Sequence, residues 1–512
     1  MEDFNIMSVS EIKIEESMWL LADRLRGSMD PSEYKNIVLG LIFLKYISET
    51  FEERYDELKN NESSNEEEKS EYITKNIFWV PQKARWEYIT KNSENKDLGK
   101  IIDNAMSMIE KENPSLKDVL PKDFAKPQLN ASKLRDVIDL LKFKVSDADS
   151  QSKDILGRIY EYFLSKFASA EGKAGGEFYT PRSVVKLLVE MLKPCKGNVY
   201  DPCCGSGGLF VQSERFIEDH KGKPGDIRIF GQESNPTTWR MCKMNLALRG
   251  IDGDIGKSNA DTFHNDLHKD LKADYVLANP PFNISDWGGE KLENDSRWVY
   301  GIPPQGNANY AWIQHIISKL SDKGRAGFVM ANGSLSTKNI LSEYEIRKNL
   351  IENDLVDCIV LLPAQMFYST QIPACLWFLS NDKKGNNKSR KGEILFIDAG
   401  KKGFMADRIH KEFAEDEIHE ISRTYHSWRG SIDQEYKDIQ GYCKVETIEN
   451  IIKNDYVLTP NRFVGVELEE EDTELYDDKM KRLTKTLNEQ FKKSHKLEDD
   501  IKRVLGGIGY EV

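Results

Sequence analysis

Between residues 197 and 379 short apolar runs alternate with stretches of helical periodicity, and this alternation leaves few folds open to the chain. Val199-Tyr200 and residues 227–230, 275–278, 325–331, 356–362 and 372–379 read as strands. Helical spacing begins near Leu209, follows Asn235-Pro236 as far as Gly250, and returns over residues 310–320 and 342–351. Strands that alternate with helices pack as a doubly wound, Rossmann-like α/β sheet, since parallel neighbours need crossover connections. Such sheets bind ligands beyond the carboxyl ends of their strands. The residues just after each strand are therefore where chemistry is expected.

The most specific of these turns is Asn279-Pro280-Pro281-Phe282, after the apolar run 275–278. Asn carries a carbonyl acceptor and an amide donor on a short stem, and two prolines stiffen the turn while giving up both backbone N–H groups. The result is a rigid cluster of acceptors beside the flat face of Phe282, which suits a planar group bearing an amine, such as a nucleobase. Taken alone, the tetrapeptide fits a polar corner between strand and loop equally well.

After the first strand comes Asp201-Pro202-Cys203-Cys204-Gly205-Ser206-Gly207-Gly208, whose glycines let backbone approach a ligand at the start of a helix. Phe210 stands where a G-x-G-x-x-G fingerprint needs its last glycine, and Ile251 where a P-loop ending at Gly256-Lys257-Ser258 needs its first. Dinucleotide and nucleoside-triphosphate sites are thereby disfavoured. Glu233 follows the second strand, where a carboxylate can accept both hydroxyls of a ribose, and Asp261 follows a third short strand or loop. Each acid alone is equally readable as a solvated strand end. Upstream, Gly172-Lys173-Ala174-Gly175-Gly176 leads into Glu177-Phe178-Tyr179-Thr180-Pro181-Arg182, where Thr180 and Pro181 fit the cap and first position of a helix.

The remainder of the chain reads as support. Helical patterns at 12–25, 31–58, 98–109 and 134–141 predict a mostly helical domain over residues 1–150, without a catalytic constellation, followed by the α/β domain, 151–465, which opens on a helix at 155–167. Asn60 to Glu71 reads as a loop, and residues 283–307 form a polar loop of a length that signals function or disorder. The Lys-rich segment 381–391 reads as a solvated loop. Residues 466–512 hold an acidic run and a charged helix whose stripe of Met480, Leu483, Leu487, Leu497, Ile501, Val504 and Leu505 fits docking to a partner helix and, nearly as well, docking back on its own domain. A net charge of −13 excludes a protein that wraps nucleic acid over its whole surface. Residues 37–47 are too short and interrupted to cross a membrane. Seven scattered cysteines with no CxxC spacing predict reduced thiols, a cytoplasmic chain and no structural zinc.

Taken together, these residues resemble the amino-methyltransferases that use S-adenosylmethionine on adenine in DNA, in their gamma order: Phe178-Tyr179-Thr180-Pro181, then Asp201 to Gly208, then Asn279 to Phe282. Within that group the chain is similar to the methylation (M) subunits of type I restriction-modification enzymes, through its helical start, Gly231-Gln232-Glu233 and Tyr456-Val457-Leu458-Thr459-Pro460-Asn461-Arg462-Phe463-Val464. The resemblance implies that Glu177, Phe178, Tyr179, Thr180, Pro181, Arg182, Asp201, Gly205, Ser206, Gly207, Gly208 and Glu233 hold S-adenosylmethionine, with Asp261 at its adenine. It implies that a flipped target adenine stacks on Phe282 and gives its amino hydrogens to the Asn279 side chain and the Pro280 carbonyl, with Pro281 stiffening the turn. Cys203 and Cys204 sit on the cofactor turn and are not read as nucleophiles. The implied partners are double-stranded DNA, a specificity (S) subunit, a second M subunit and a restriction (R) subunit. The alternatives are methylation of RNA or of a protein glutamine, and a catalytically silent scaffold.

Overall fold

The computed structural model describes residues 31–60, 65–127, 129, 131–141, 159–160, 162–164, 180–223, 225–367, 373–385, 388–408, 410–466 and 476–507. The predicted helix at 12–25, most of that at 155–167, and Glu177, Phe178 and Tyr179 lie outside the described residues. The chain divides into two compact units, Met1–Gly465 and Val466–Val512.

The first unit is built on a nine-stranded sheet. Its strands are β1 (Gly197–Asp201), β2 (Ile227–Gly231), β3 (Gly253–Asp254), β4 (Ala273–Ala278), β5 (Leu320–Ala331), β6 (Val356–Leu361), β7 (Ala374–Ser380), β8 (Glu393–Asp398) and β11 (Cys443–Thr447), while β9 (Phe404–Met405) and β10 (Lys411–Glu412) form a separate hairpin. Across the sheet the order is β11-β8-β6-β7-β5-β4-β1-β2-β3. Pairing is parallel except where β7 runs between β5 and β6 and where β11 joins β8. The expected doubly wound α/β sheet is present, with antiparallel additions at one side.

Alternation along the strands sends neighbouring residues into two different cores. Val199, Leu277, Val329, Val360, Phe378 and Ile397 belong to one core; Tyr200, Val276, Phe328, Ile359, Trp377 and Phe396 belong to the other. The first core also takes the buried faces of α1 (Pro31–Lys59), α2 (Leu98–Glu112), α3 (Ala131–Leu140), α4 (Arg182–Leu192), α5 (Gly208–Asp219), α6 (Pro236–Leu248) and α9 (Glu415–Trp428). The second takes α7 (Asn309–Lys319) and α8 (Leu341–Glu352), through Tyr310, Ile313, Ile316, Ile346 and Leu350. The N-terminal helices therefore share a hydrophobic core with one face of the sheet.

Several boundaries differ from the sequence reading. β5 starts at Leu320, directly after α7, so residues 320–324 are strand and not loop. The segment 381–391 is not simply solvated, since Lys383 and Arg390 are buried, 4% and 1% exposed. Lys383 Nζ lies 2.6 Å from Asp354 Oδ1, and Arg390 Nε 3.2 Å from Asp357 Oδ1. Asp357 is wholly buried within β6, and a carboxylate there requires cationic partners. The loop expected over 60–71 gives way to a short helix at Ser70–Ile73. α9, the hairpin and β11 carry no clear sequence signal. In the second unit the expected charged helix is present as α10 (Tyr476–Gly507).

Candidate active site

β1 and β4 are adjacent and parallel, but the chain leaves β1 toward β2 on one side and β4 toward β5 on the other. This reversal of direction opens a crevice at the carboxyl ends. Asp201–Gly208 and Asn279–Phe282 flank it.

The Gly-rich turn is held in shape by its own backbone. The Cys204 amide donates to the Gln232 carbonyl at 2.9 Å and the Gly207 amide to the Cys204 carbonyl at 2.8 Å. Gly205 and Gly207 have φ of +54° and +82°, which other residues adopt at a cost. A side chain at Gly205 or Gly208 would meet no atom of the described residues within 4 Å, which leaves room beside both for a ligand. Asp201, at the end of β1, is 1% exposed and accepts the Cys203 amide at 3.0 Å. Burial, aided by the charge of Glu233, pushes its carboxyl up to about 7. Glu233 reaches back to the same turn: Oε2 accepts the Gly205 amide at 3.0 Å and Oε1 the Asn235 amide at 2.8 Å.

Asn279 closes the other side. Its Nδ2 donates to Thr180 Oγ1 at 2.9 Å, while its Oδ1 is buried with no hydrogen-bond partner among the described residues. The Thr180 hydroxyl is thus used by the Asn279–Phe282 turn and not as a helix cap. Pro181 takes the cap position, its carbonyl accepting the amides of Val184 and Val185, and α4 begins one residue later than expected. Asn279, Thr180, Arg182, Asp201, Gly205, Ser206 and Gly208 line one cleft, together with Asn245 and Arg215. Glu233 and Asp261 stand outside this lining, beside the β2 end of the turn. Phe282 meets Phe367 edge to face, ring centroids 6.1 Å apart.

Asp261 is exposed, and its Oδ1 accepts the amides of Phe263 and His264. The Ala260 amide donates to the Glu233 carbonyl at 2.9 Å, which ties this turn to the β2 end. The long segment 283–307 is packed: Trp287 and Trp298 join Phe263, Ala308, Ala311 and Trp312 in a small aromatic core. A larger cleft, lined among others by Lys75, Phe78, Arg228, Trp239 and Lys243, lies between the N-terminal helices and the β2–β3 edge and contains none of the predicted site residues.

Sequence reasoning missed two supports. Asn245 Nδ2 donates to the Ser206 carbonyl at 2.7 Å, bracing the glycine turn from α6. Gln232, fully buried, donates to the Ala260 and Asn265 carbonyls and accepts the Leu267 amide. Neither has a local signature, though Gln232 adjoins the acid that was read. All seven cysteines are free. Burial holds the Cys203 thiol well above its ordinary range, as do burial and the bond to Cys242 for Cys204, so neither presents a thiolate. Among the described residues no group of three or more His, Cys, Asp or Glu side chains could hold a metal ion. No described helix is long and apolar enough to cross a membrane.

Comparison with known proteins follows this geometry. Residues 151–472 match the model of the N-6 DNA methylase family, and residues 14–141 that of the HsdM N-terminal domain. The chain is 47% identical over 452 residues to the type I restriction enzyme HindI methylase subunit of Haemophilus influenzae, covering 84% of this chain and 100% of that one. It is 38% identical over 520 residues to the MjaIX methylase subunit of Methanocaldococcus jannaschii, covering 97% and 92%. The fold is shared with a type I methyltransferase subunit from Streptococcus thermophilus, with a TM-score of 0.74 at 24% identity over 89% of this chain and 100% of that one. A glycine turn and an Asn-Pro-Pro-Phe turn across one switch point, with matches over nearly the whole length, place the chain in the N-6 DNA methylase family, among the methylase subunits of type I restriction enzymes.

Proposed function

We propose that this methyltransferase acts on the exocyclic amine of adenine in double-stranded DNA, with S-adenosylmethionine as methyl donor. The observation that carries the reading is the buried Oδ1 of Asn279, which has no partner among the described residues. Leaving such an acceptor unpaired costs about 1–3 kcal/mol, which an incoming amine would recover. The amide cannot turn freely to find another donor, because Nδ2 is held by Thr180.

S-adenosylmethionine supplies an electrophilic methyl group on a sulfonium. The residues present fit it. Gly205 and Gly208 leave room for close backbone approach, Asp201 and Glu233 order the turn, and Arg182 lines the cleft. Glu177, Phe178 and Tyr179 belong to the same proposal by resemblance, as does Asp261 toward the adenine of the donor.

An aryl amine is a weak nucleophile because its lone pair is delocalised into the ring. Two acceptors, Asn279 Oδ1 and the Pro280 carbonyl, would draw its hydrogens out of plane and return electron density to nitrogen. Phe282 would hold the flipped base by stacking, its own ring steadied by Phe367. No enzyme-bound covalent intermediate is needed, consistent with the neutral thiols of Cys203 and Cys204.

The acidic whole-chain charge of −13 favours DNA binding as part of an assembly. A specificity subunit, a second methylation subunit and a restriction subunit are the proposed companions, in the cytoplasm. Asn279→Ala is expected to lower methylation of adenine in DNA at least about 100-fold, as loss of a transition-state hydrogen-bond partner does, while S-adenosylmethionine binding measured by calorimetry stays near wild type. An active Asn279→Ala enzyme would sink the assignment. Labelled-methyl transfer to RNA or to a glutamine peptide, with none to DNA, would redirect it.

A further inference from the structure

Arg297 lies outside every motif considered above, in the segment that follows Asn279-Pro280-Pro281-Phe282. A guanidinium has five N–H donors in a fixed fork, and here each has a partner. Nε donates to Asp295 Oδ1 at 2.8 Å and Nη2 to Asp295 Oδ2 at 2.7 Å. Nη2 also donates to the Phe263 carbonyl at 2.6 Å, and Nη1 to the Thr262 carbonyl at 3.1 Å. The fifth contact is Nη1 to His315 Nδ1 at 3.0 Å.

That last contact requires Nδ1 to accept, so His315 is neutral with its proton on Nε2, which faces the Tyr200 hydroxyl at 3.2 Å. Complete burial, reinforced by the Arg297 charge, pushes His315 down to about 3 and keeps it neutral. The hydrogen bond from Arg297 holds the Asp295 carboxyl below its usual range. The guanidinium also lies over the Trp298 ring, 5.2 Å from its centroid. One cation, its side chain 11% exposed, thus joins β1, through His315 and Tyr200, to the loop after the Asn279–Phe282 turn and to the two carbonyls directly behind Asp261.

We propose that Arg297 is a positioning residue, fixing the Asp261–Phe263 turn, and with it the adenine side of the donor site, to the loop that follows Asn279–Phe282. The inference rests on the functional reading above. Two convergent carbonyls and a bidentate carboxylate match a planar fork, and an ammonium cannot reproduce that set. Gln232 and the Thr262 hydroxyl on the Pro202 carbonyl at 2.5 Å hold this turn from the β1–β2 side, while on the loop side Arg297 acts beside the His264 Nε2 contact to the Trp287 carbonyl at 2.9 Å and the packing of Phe263 on Trp287. Without Arg297 the turn keeps its place on the sheet and its packing on Trp287, but loses the charged fork that clamps the Thr262 and Phe263 carbonyls to Asp295.

The test uses the full chain and three readouts: calorimetric S-adenosylmethionine affinity, kcat and KM for DNA in the assembled enzyme, and amide hydrogen exchange across residues 261–265 without ligand. Arg297→Met is expected to weaken S-adenosylmethionine binding roughly 10- to 100-fold, the range typical for losing an outer-shell partner. Exchange at 261–265 should accelerate, while kcat at saturating donor and KM for DNA stay within about 3-fold, under 1 kcal/mol. Arg297→Lys should fall between wild type and Met. Should Arg297→Met fail to fold, Asp295→Asn keeps the shape and removes the counter-charge, and a weakening in the same direction is expected. A folded variant that binds S-adenosylmethionine like wild type, with residues 261–265 still protected, overturns the inference alone. A wild-type chain that shows no S-adenosylmethionine binding overturns the functional reading beneath it.

Discussion

Asp201 holds a carboxyl where ionisation is costly, and its pH dependence follows directly. Burial first, and the Glu233 charge second, raise it from 3.8 to about 7. Between those values the folded chain keeps the proton that the unfolded chain releases, so stability falls as pH rises from about 4 to about 7, by at most about 1.4 kcal/mol per pH unit from this group. Asp201→Asn retains an acceptor for the Cys203 amide and cannot ionise. Urea unfolding at pH 5 and pH 7 should show the variant gaining on wild type as pH rises, and an unchanged difference would refute the assignment. His315 and His426, pushed down to about 3 and about 4 by burial, contribute the opposite slope, with stability lost on acidification. That slope is common to both proteins and cancels in the comparison. Gly207→Ala makes a second test at the same turn, since φ is +82° and the new Cβ would lie 2.9 Å from Cys242 Sγ. A loss of about 1–2 kcal/mol in unfolding free energy is expected from the backbone alone, accompanied by weaker S-adenosylmethionine binding.

At the scale of elements, what sequence revealed was what is encoded locally. β1, β2, β4, β6 and β7 are short apolar runs bounded by polar turns, and α1, α4 and α6 carry amphipathic spacing or a proline at the start, so each could be read from a window of a dozen residues. The same holds for the turns after β1 and β4, whose residue types have few other uses. What stayed hidden depends on partners far along the chain. Thr180 reads as a cap, but its hydroxyl serves Asn279, 99 residues away. Asp357 reads as a flaw in an apolar strand, yet it accepts from Arg390 Nε, the Tyr425 hydroxyl at 2.7 Å and Arg429, joining β6 to the segment before β8 and to α9. Removing one member of such a buried set leaves uncompensated charge. Asp357→Ala is therefore expected to destabilise the first unit by about 3–5 kcal/mol, read as an earlier urea midpoint with an unchanged slope. A loss under about 0.5 kcal/mol, typical of surface changes, would show that the cluster is not what holds α9.

At the scale of the molecule, the division between Gly465 and Val466 separates the proposed site from the tail. Every described residue of the proposed site lies between Thr180 and Phe282, in the first unit. The second unit offers a different kind of surface. Along α10, Met480, Leu483, Leu487, Phe491 and Leu497 are 45–56% exposed, at the three- and four-residue spacing that lines up one face, with a longer step before Leu497. Phe491 fills the gap in the stripe expected from sequence, while Ile501, Val504 and Leu505 lie where side chains are outside the described residues. A long, charged helix with a narrow exposed apolar stripe gains most of its stability when that stripe is covered. A chain ending at Gly465 is thus expected to bind S-adenosylmethionine with wild-type affinity and to melt within about 2 °C of wild type, since roughly 1 kcal/mol moves a chain of this size by about 1 °C. It should fail to co-elute with the specificity and methylation subunits. Leu483→Glu with Leu487→Glu in the full chain should reproduce the assembly defect without truncation, because two carboxylates on the stripe cannot be buried unpaired. A truncated chain that still assembles would move the docking role to the N-terminal helices. One that loses donor binding would show that the tail supports the catalytic unit itself.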